Sequence, residues 1–102
     1  MIHVIVTVEL NEGRRDDFLA EFHRIVPLVL EEAGCIAYGP AVDETSGIEA
    51  QAPLGPATVM IIEQWESLDH LKAHLVAPHM NEYRPRVKDM ITRSTLRILR
   101  PA

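Results

Sequence analysis

The sequence predicts an α+β fold of the ferredoxin-like type, β-α-β-β-α-β, with a four-stranded antiparallel sheet and helices on one face. Three observations carry that prediction. Segments rich in β-branched residues (IHVIVTVEL, ATVMIIEQWE and STLRILR) alternate in polarity as strands do. The stretches between them repeat apolar residues every three or four positions, as helices do. The chain has 102 residues, enough for one domain and too few for two.

The first strand spans residues 2–10, with Ile2, Val4, Val6, Val8 and Leu10 on one face and His3, Ile5, Thr7 and Glu9 on the other. Asn11 to Gly13 turn the chain into a helix over 14–33, whose stripe is Phe18, Phe22, Ile25, Val26, Val29 and Leu30. Asp16 and Asp17 suit the positive end of the helix dipole; Arg14 and Arg15 oppose it. Pro27 removes one backbone donor inside the helix and predicts a kink, and Gly34 suits the position past its end. Residues 35–42 read as a second strand, weakened by Gly39 and Pro40. Residues 43–56 form a fourteen-residue loop, a length often used for lids and binding loops. The third strand covers 57–66. Ser67 caps a helix over 68–76, and Pro78 restarts a second short helix to about Ile91. The last strand covers 94–100.

Composition narrows the function. Apolar residues make up 47% and charged residues 25%, the balance of a folded protein and not of a disordered one. The net charge of −5 argues against a nucleic-acid partner. A single cysteine, Cys35, excludes an internal disulfide and a Cys-rich metal cluster. Neither a signal peptide nor an apolar run of about 20 residues is present, so a cytoplasmic location without a membrane span is expected.

Both sheet faces read as apolar: Ile5 lies opposite the main face of the first strand, and Met60 and Ile62 lie opposite Val59 and Ile61. Helices cover only one face. Burial of each such side chain stabilises by roughly 1.5–3 kcal/mol, so a second copy packed sheet to sheet is expected, giving a homodimer.

The residues able to carry chemistry cluster between Glu63 and Met80. Glu63 and Trp65 share a strand face, and His70 and His74 share a helix face. His74 lies beside the apolar stripe, where a histidine serves as a base at neutral pH; the alternative is a half-buried histidine satisfied by a neighbour. Two His at i and i+4, with His79 or Glu63 as a third ligand, also admit a metal site. That reading is the weaker one, since the spacing is common and no HExxH-type base accompanies it; the alternative for His70 is a solvated residue interacting with Glu66. Trp65, Tyr38 and Tyr83 fit core packing as well as ligand contact, and Cys35 reads as a small buried hydrophobe. No nucleophile motif, phosphate-binding loop or dinucleotide fingerprint is present.

These same segments resemble the antibiotic-biosynthesis monooxygenase family of small dimeric α+β barrel proteins. The resemblance runs through IHVIVTVELNEGRRDDFLAEF, EEAGCIAYGP and IEQWESLDHLKAHLVAPHM, nearly the whole chain, and is strongest to a subgroup of bacterial quinol monooxygenases. It implies oxygen chemistry without flavin, haem or metal, on a small aromatic substrate that supplies its own electrons to dioxygen. It implies a pocket on the helix side of the sheet, with His74 as base and Trp65 as an aromatic wall. Tyr38 would then bond a substrate oxygen, His79 and Tyr83 would line the mouth, and loop 43–56 would be the lid. Only Trp65 and His74 fall on recurring family positions. Haem-degrading relatives carry an Asn where the first strand has Thr7, and anthrone oxygenases carry one four residues before the Trp, where this chain has Ile61. Both departures point away from those substrates. A non-catalytic quinone- or aromatic-binding protein and a small-molecule isomerase of the same fold are the alternatives. An isomerase needs a polar pocket with an anion site.

Overall fold

A computed structural model describes residues 1–102. The four strands are β1 (Ile2–Leu10), β2 (Cys35–Ala41), β3 (Thr58–Trp65) and β4 (Ile91–Leu99). They form one antiparallel sheet in the order β2-β3-β1-β4. The helices are α1 (Arg15–Leu30), α2 (Leu68–Leu75) and α3 (Pro78–Val87), the last followed by a 3₁₀ turn, Lys88–Met90. This is the ferredoxin-like order, with the second helical region in two pieces, as the sequence predicts.

Alternation decides what the helices cover. Val4, Val8 and Leu10 of β1 and Val59, Ile61 and Trp65 of β3 are buried against Phe18, Phe22, Ile25 and Val29 of α1. Ile5 and Ile62 are register partners on the opposite face, where Ile62 is exposed. Leu96 and Ile98 of β4 pair with Val6 and Val4 and so point to the helix side, yet both remain exposed. The helices therefore stop short of β4 and leave a cleft beside it.

Several boundaries differ from those read in the sequence. α1 ends at Leu30, not residue 33, and Gly34 follows at φ +79, a left-handed conformation that favours glycine. β4 starts at Ile91 because Ile91 already pairs with Leu10 across an irregularity in the register at Glu9/Leu10. β2 carries a similar irregularity between Cys35 and Ala37, which leaves Ile36 exposed. Pro27 lies inside α1, which runs through it.

Loop 43–56 is not a lid. The Asp43 carboxylate accepts from the Leu54 and Gly55 amides at 2.9 and 3.0 Å, and Arg15 donates to the Gly55 carbonyl at 3.4 Å. The Asp43 bonds close the loop on itself, the Arg15 bond ties it to the start of α1, and none of its residues lines the cleft.

Candidate active site

The inward face of β3 reads Val59, Ile61, Glu63, Trp65, and the third of these places a carboxyl in an apolar layer. Glu63 is 5% exposed and accepts a hydrogen bond from Trp65 Nε1 at 2.9 Å. The chain then turns at Ser67, whose Oγ accepts from the His70 amide at 3.3 Å and caps α2. Leu71 and His74 are the residues α2 buries.

His74 is 2% exposed, and its Nδ1 lies 2.8 Å from Glu32 Oε2. The same oxygen lies 2.8 Å from His79 Nε2. An ionised carboxylate only accepts, so both imidazole nitrogens donate to it. A neutral His74 consequently carries its proton on Nδ1 and its lone pair on Nε2. That Nε2 lies 4.0 Å from Glu63 Oε1. The His74 ring tilts against Trp65 with centroids 4.7 Å apart, and meets Tyr38 edge-on at 5.4 Å.

Burial sets the protonation states. Desolvation pushes the Glu63 carboxyl up to about 7, aided by the negative charge of Glu32 and opposed by the Trp65 hydrogen bond. Burial lowers the His74 pKa, and the hydrogen bond and charge of Glu32 counter part of that fall. His74 is thus a neutral imidazole at pH 7, with a carboxylate placed to stabilise it once protonated. Burial raises both Tyr38 and Tyr83, which stay as phenols able to donate.

A cavity of about 820 Å³ opens between the sheet and α2–α3, on the helix side. Apolar side chains including Val6, Phe22, Ile61 and Leu71 line it, together with Glu63, His74, Tyr38 and Tyr83. Three of the expected site residues, His74, Tyr38 and Tyr83, therefore share one cavity. The other two stand elsewhere. Trp65 is fully buried behind Glu63 and His74, so it packs the base and forms no wall of the cavity. His79 lies on the far side of Glu32, in a separate shallow groove with Glu21 and Arg24.

The expected metal pairing of His70 with His74 does not form. His70 Nδ1 lies 2.7 Å from Ser67 Oγ instead, and that contact replaces the one expected with Glu66. The groups that converge are Glu32, His74 and His79, with ligating atoms within 4.8 Å of one another. Their 2.8 Å separations, His74 Nδ1 and His79 Nε2 each to Glu32 Oε2, are hydrogen-bond distances.

Glu32 is the residue that sequence reasoning missed. It is 42 positions from His74 and lies in the turn after α1, outside any periodic pattern. The one signal was its place in EEAGC, just before the glycine that lets this turn approach α2.

Comparison with known proteins finds relatives along the whole chain. Residues 1–86 match the family model described as antibiotic biosynthesis monooxygenase. The chain is 42% identical to the "Probable quinol monooxygenase YgiN" of Escherichia coli K12, over 99% of this chain and 98% of that one. A conserved protein from Methanosarcina mazei Go1 superposes with a TM-score of 0.84 at 20% identity, covering 99% of this chain and 92% of the other. A crystal structure of an antibiotic biosynthesis monooxygenase gives 0.81, also at 20% identity, covering 100% and 99%. At that identity the two structures are similar in fold.

Proposed function

The chain belongs to the antibiotic biosynthesis monooxygenase family, and from that premise we propose that it oxidises a quinol with dioxygen and without a cofactor. One observation carries the reading: a buried, neutral imidazole, oriented by Glu32 through Nδ1, lines an apolar cavity and keeps its unprotonated Nε2 4.0 Å from Glu63, another lining residue. Similarity to a relative named as a quinol monooxygenase supports the substrate class.

The chemistry follows from these groups. His74 Nε2 takes the proton of a quinol hydroxyl, and Glu32 stabilises the imidazolium that forms. The quinolate transfers one electron to dioxygen, and the resulting radical pair combines to form a carbon–oxygen bond. Loss of water then leaves a hydroxylated quinone. The balance is quinol plus dioxygen to hydroxyquinone plus water. All four electrons come from the ring, so no outside reductant is required. The apolar walls hold the ring, and Tyr38 and Tyr83 offer hydroxyls to its oxygens.

The functional unit in this reading is a homodimer joined through the helix-free sheet faces. Exposed Ile62 and half-buried Ile5 and Met60 support it.

The test is oxygen uptake by metal-stripped protein given a reduced naphthoquinol, measured against buffer because quinols autoxidise. Uptake above buffer is expected, with one atom of labelled dioxygen in the product. Uptake equal to buffer, with naphthoquinone still bound, would make the chain a binding protein instead.

A further inference from the structure

The charge around the cavity differs from that of the chain. The chain carries a net charge of −5, yet Glu63 is the single acidic residue lining the cavity, while Arg84 and Lys88 line it as well. Arg93 also borders the cavity, but its guanidinium pairs at 3.7 Å with Glu9, a β1 residue that alternates onto the helix-free face.

Arg84 and Lys88 stand four residues apart, and Lys88 keeps helical dihedrals of φ −50 and ψ −45, so the two share one face of α3. Arg84 is fixed in place: it donates to the Leu75 carbonyl at 2.6 Å and to Asn81 Oδ1 at 3.0 Å. No carboxylate lies within 4.0 Å of either cation. Arg86, on the same helix but away from the cavity, has two such neighbours, Glu21 at 3.6 Å and Glu82 at 3.8 Å. Position at a helix C-terminus favours cations, but it does not explain why the outward Arg is neutralised and the cavity-side pair is not.

Depth separates the two chemistries. Glu63 and His74 are buried at the inner end, and Arg84 and Lys88 are exposed at the mouth. We propose that the ligand of this cavity is an aromatic anion, its ring seated among Val6, Phe22, Ile61 and Leu71 and its carboxylate, sulfonate or phosphate held between Arg84 and Lys88. The proposal rests on the cavity being the aromatic site described above, but not on oxidation occurring there.

The test uses two dyes with one aromatic skeleton. These are 8-anilinonaphthalene-1-sulfonate, which is anionic, and N-phenyl-1-naphthylamine, which is neutral. Each is titrated by fluorescence into the wild type and into Lys88→Glu, with naphthoquinone as competitor. Two partly screened ion pairs predict that the sulfonate binds roughly 3- to 30-fold more tightly in low salt. That advantage is expected to shrink in 0.5 M salt (roughly a threefold Debye-length reduction from dilute buffer) and to close in Lys88→Glu, while the neutral dye is unaffected. Equal affinities in the wild type, or an advantage that survives both salt and Lys88→Glu, would overturn the proposal. Displacement of both dyes by naphthoquinone with no sulfonate advantage would sink this inference alone. Failure of either dye to bind, or of naphthoquinone to displace them, would sink the reading of the cavity as well.

Discussion

His70 and His74 stand one turn apart on α2, and the same short turn after α1 meets both of them. Their surroundings differ completely. At His70 the turn presents Gly34, whose missing side chain makes room for the ring: a Cβ there would lie 2.2 Å from His70 Cγ. The His70 imidazole then bonds the Ser67 hydroxyl, a contact within its own helix cap. At His74 the turn presents Glu32, and behind the ring stand Glu63 and Trp65 of β3. One histidine is packed by shape and the other by charge. Helical spacing put both on one face; the turn and the strand decided which acquired a carboxylate and a cavity.

The predictions test that contrast. The largest effect is expected from His74→Ala, which removes the proposed general base and should lower quinol oxidation by roughly 10²- to 10⁴-fold with naphthoquinone binding retained. Glu32→Gln keeps an acceptor oxygen but loses the charge that stabilises the imidazolium, so its loss in rate should fall between that and the wild type.

Next is Gly34→Ala. A left-handed φ and the collision with His70 together should cost about 2–4 kcal/mol in denaturant unfolding. In the double variant with His70→Ala the ring contacts at 2.2 and 2.5 Å disappear and only the Cβ contact at 2.7 Å remains, so the cost of Gly34→Ala should fall by about 1 kcal/mol. Strictly additive losses would show that His70 does not pack on Gly34 as described.

Glu63→Gln separates the two histidine environments by pH. The folded state holds the Glu63 proton up to about 7, whereas an unfolded carboxyl releases it near 4.3–4.5. Between those values the folded chain binds more protons than the unfolded one, so stability falls as pH rises and then levels off. The penalty above pH 7 is about 3 kcal/mol. Glu63→Gln, which still accepts from Trp65, should be more stable than wild type at pH 8 and indistinguishable at pH 5. A gap of equal size at both pH values would contradict the burial account.

The smallest effect belongs to His70→Ala. The Ser67 cap of the His70 amide survives, so stability should drop by less than about 1 kcal/mol and oxygen uptake should change less than about threefold.

Much of this fold was legible because its signals are local. Period-two runs of Val and Ile placed β1 and β3, and the three- and four-residue spacing of Phe18, Phe22, Ile25 and Val29 placed α1. His74 stood out because it interrupts an apolar stripe. What stayed hidden depends on contacts distant in sequence. Glu32 finds His74 only when α1 has packed and the Gly34 turn has closed. Trp65 lies on the expected strand face, but His74 and Glu63 come between it and the cavity. The early start of β4 is a pairing with Leu10 that the 3₁₀ turn makes possible. Loop 43–56 has the length of a lid, but Asp43 closes it on itself and Arg15 of α1 holds Gly55, a contact 40 residues apart in sequence.

In the proposed reaction the His74 imidazole is itself the proton acceptor. Its replacement by alanine leaves a gap the size of that ring, bordering the cavity through which a small molecule can enter. The most direct measurement is therefore oxygen uptake by His74→Ala in the presence of added imidazole. That role predicts that imidazole restores a saturable part of the lost rate, and that the restored rate rises with the fraction of imidazole that is unprotonated. An unchanged rate in His74→Ala, or a lost rate that imidazole does not restore while naphthoquinone still binds, would contradict it.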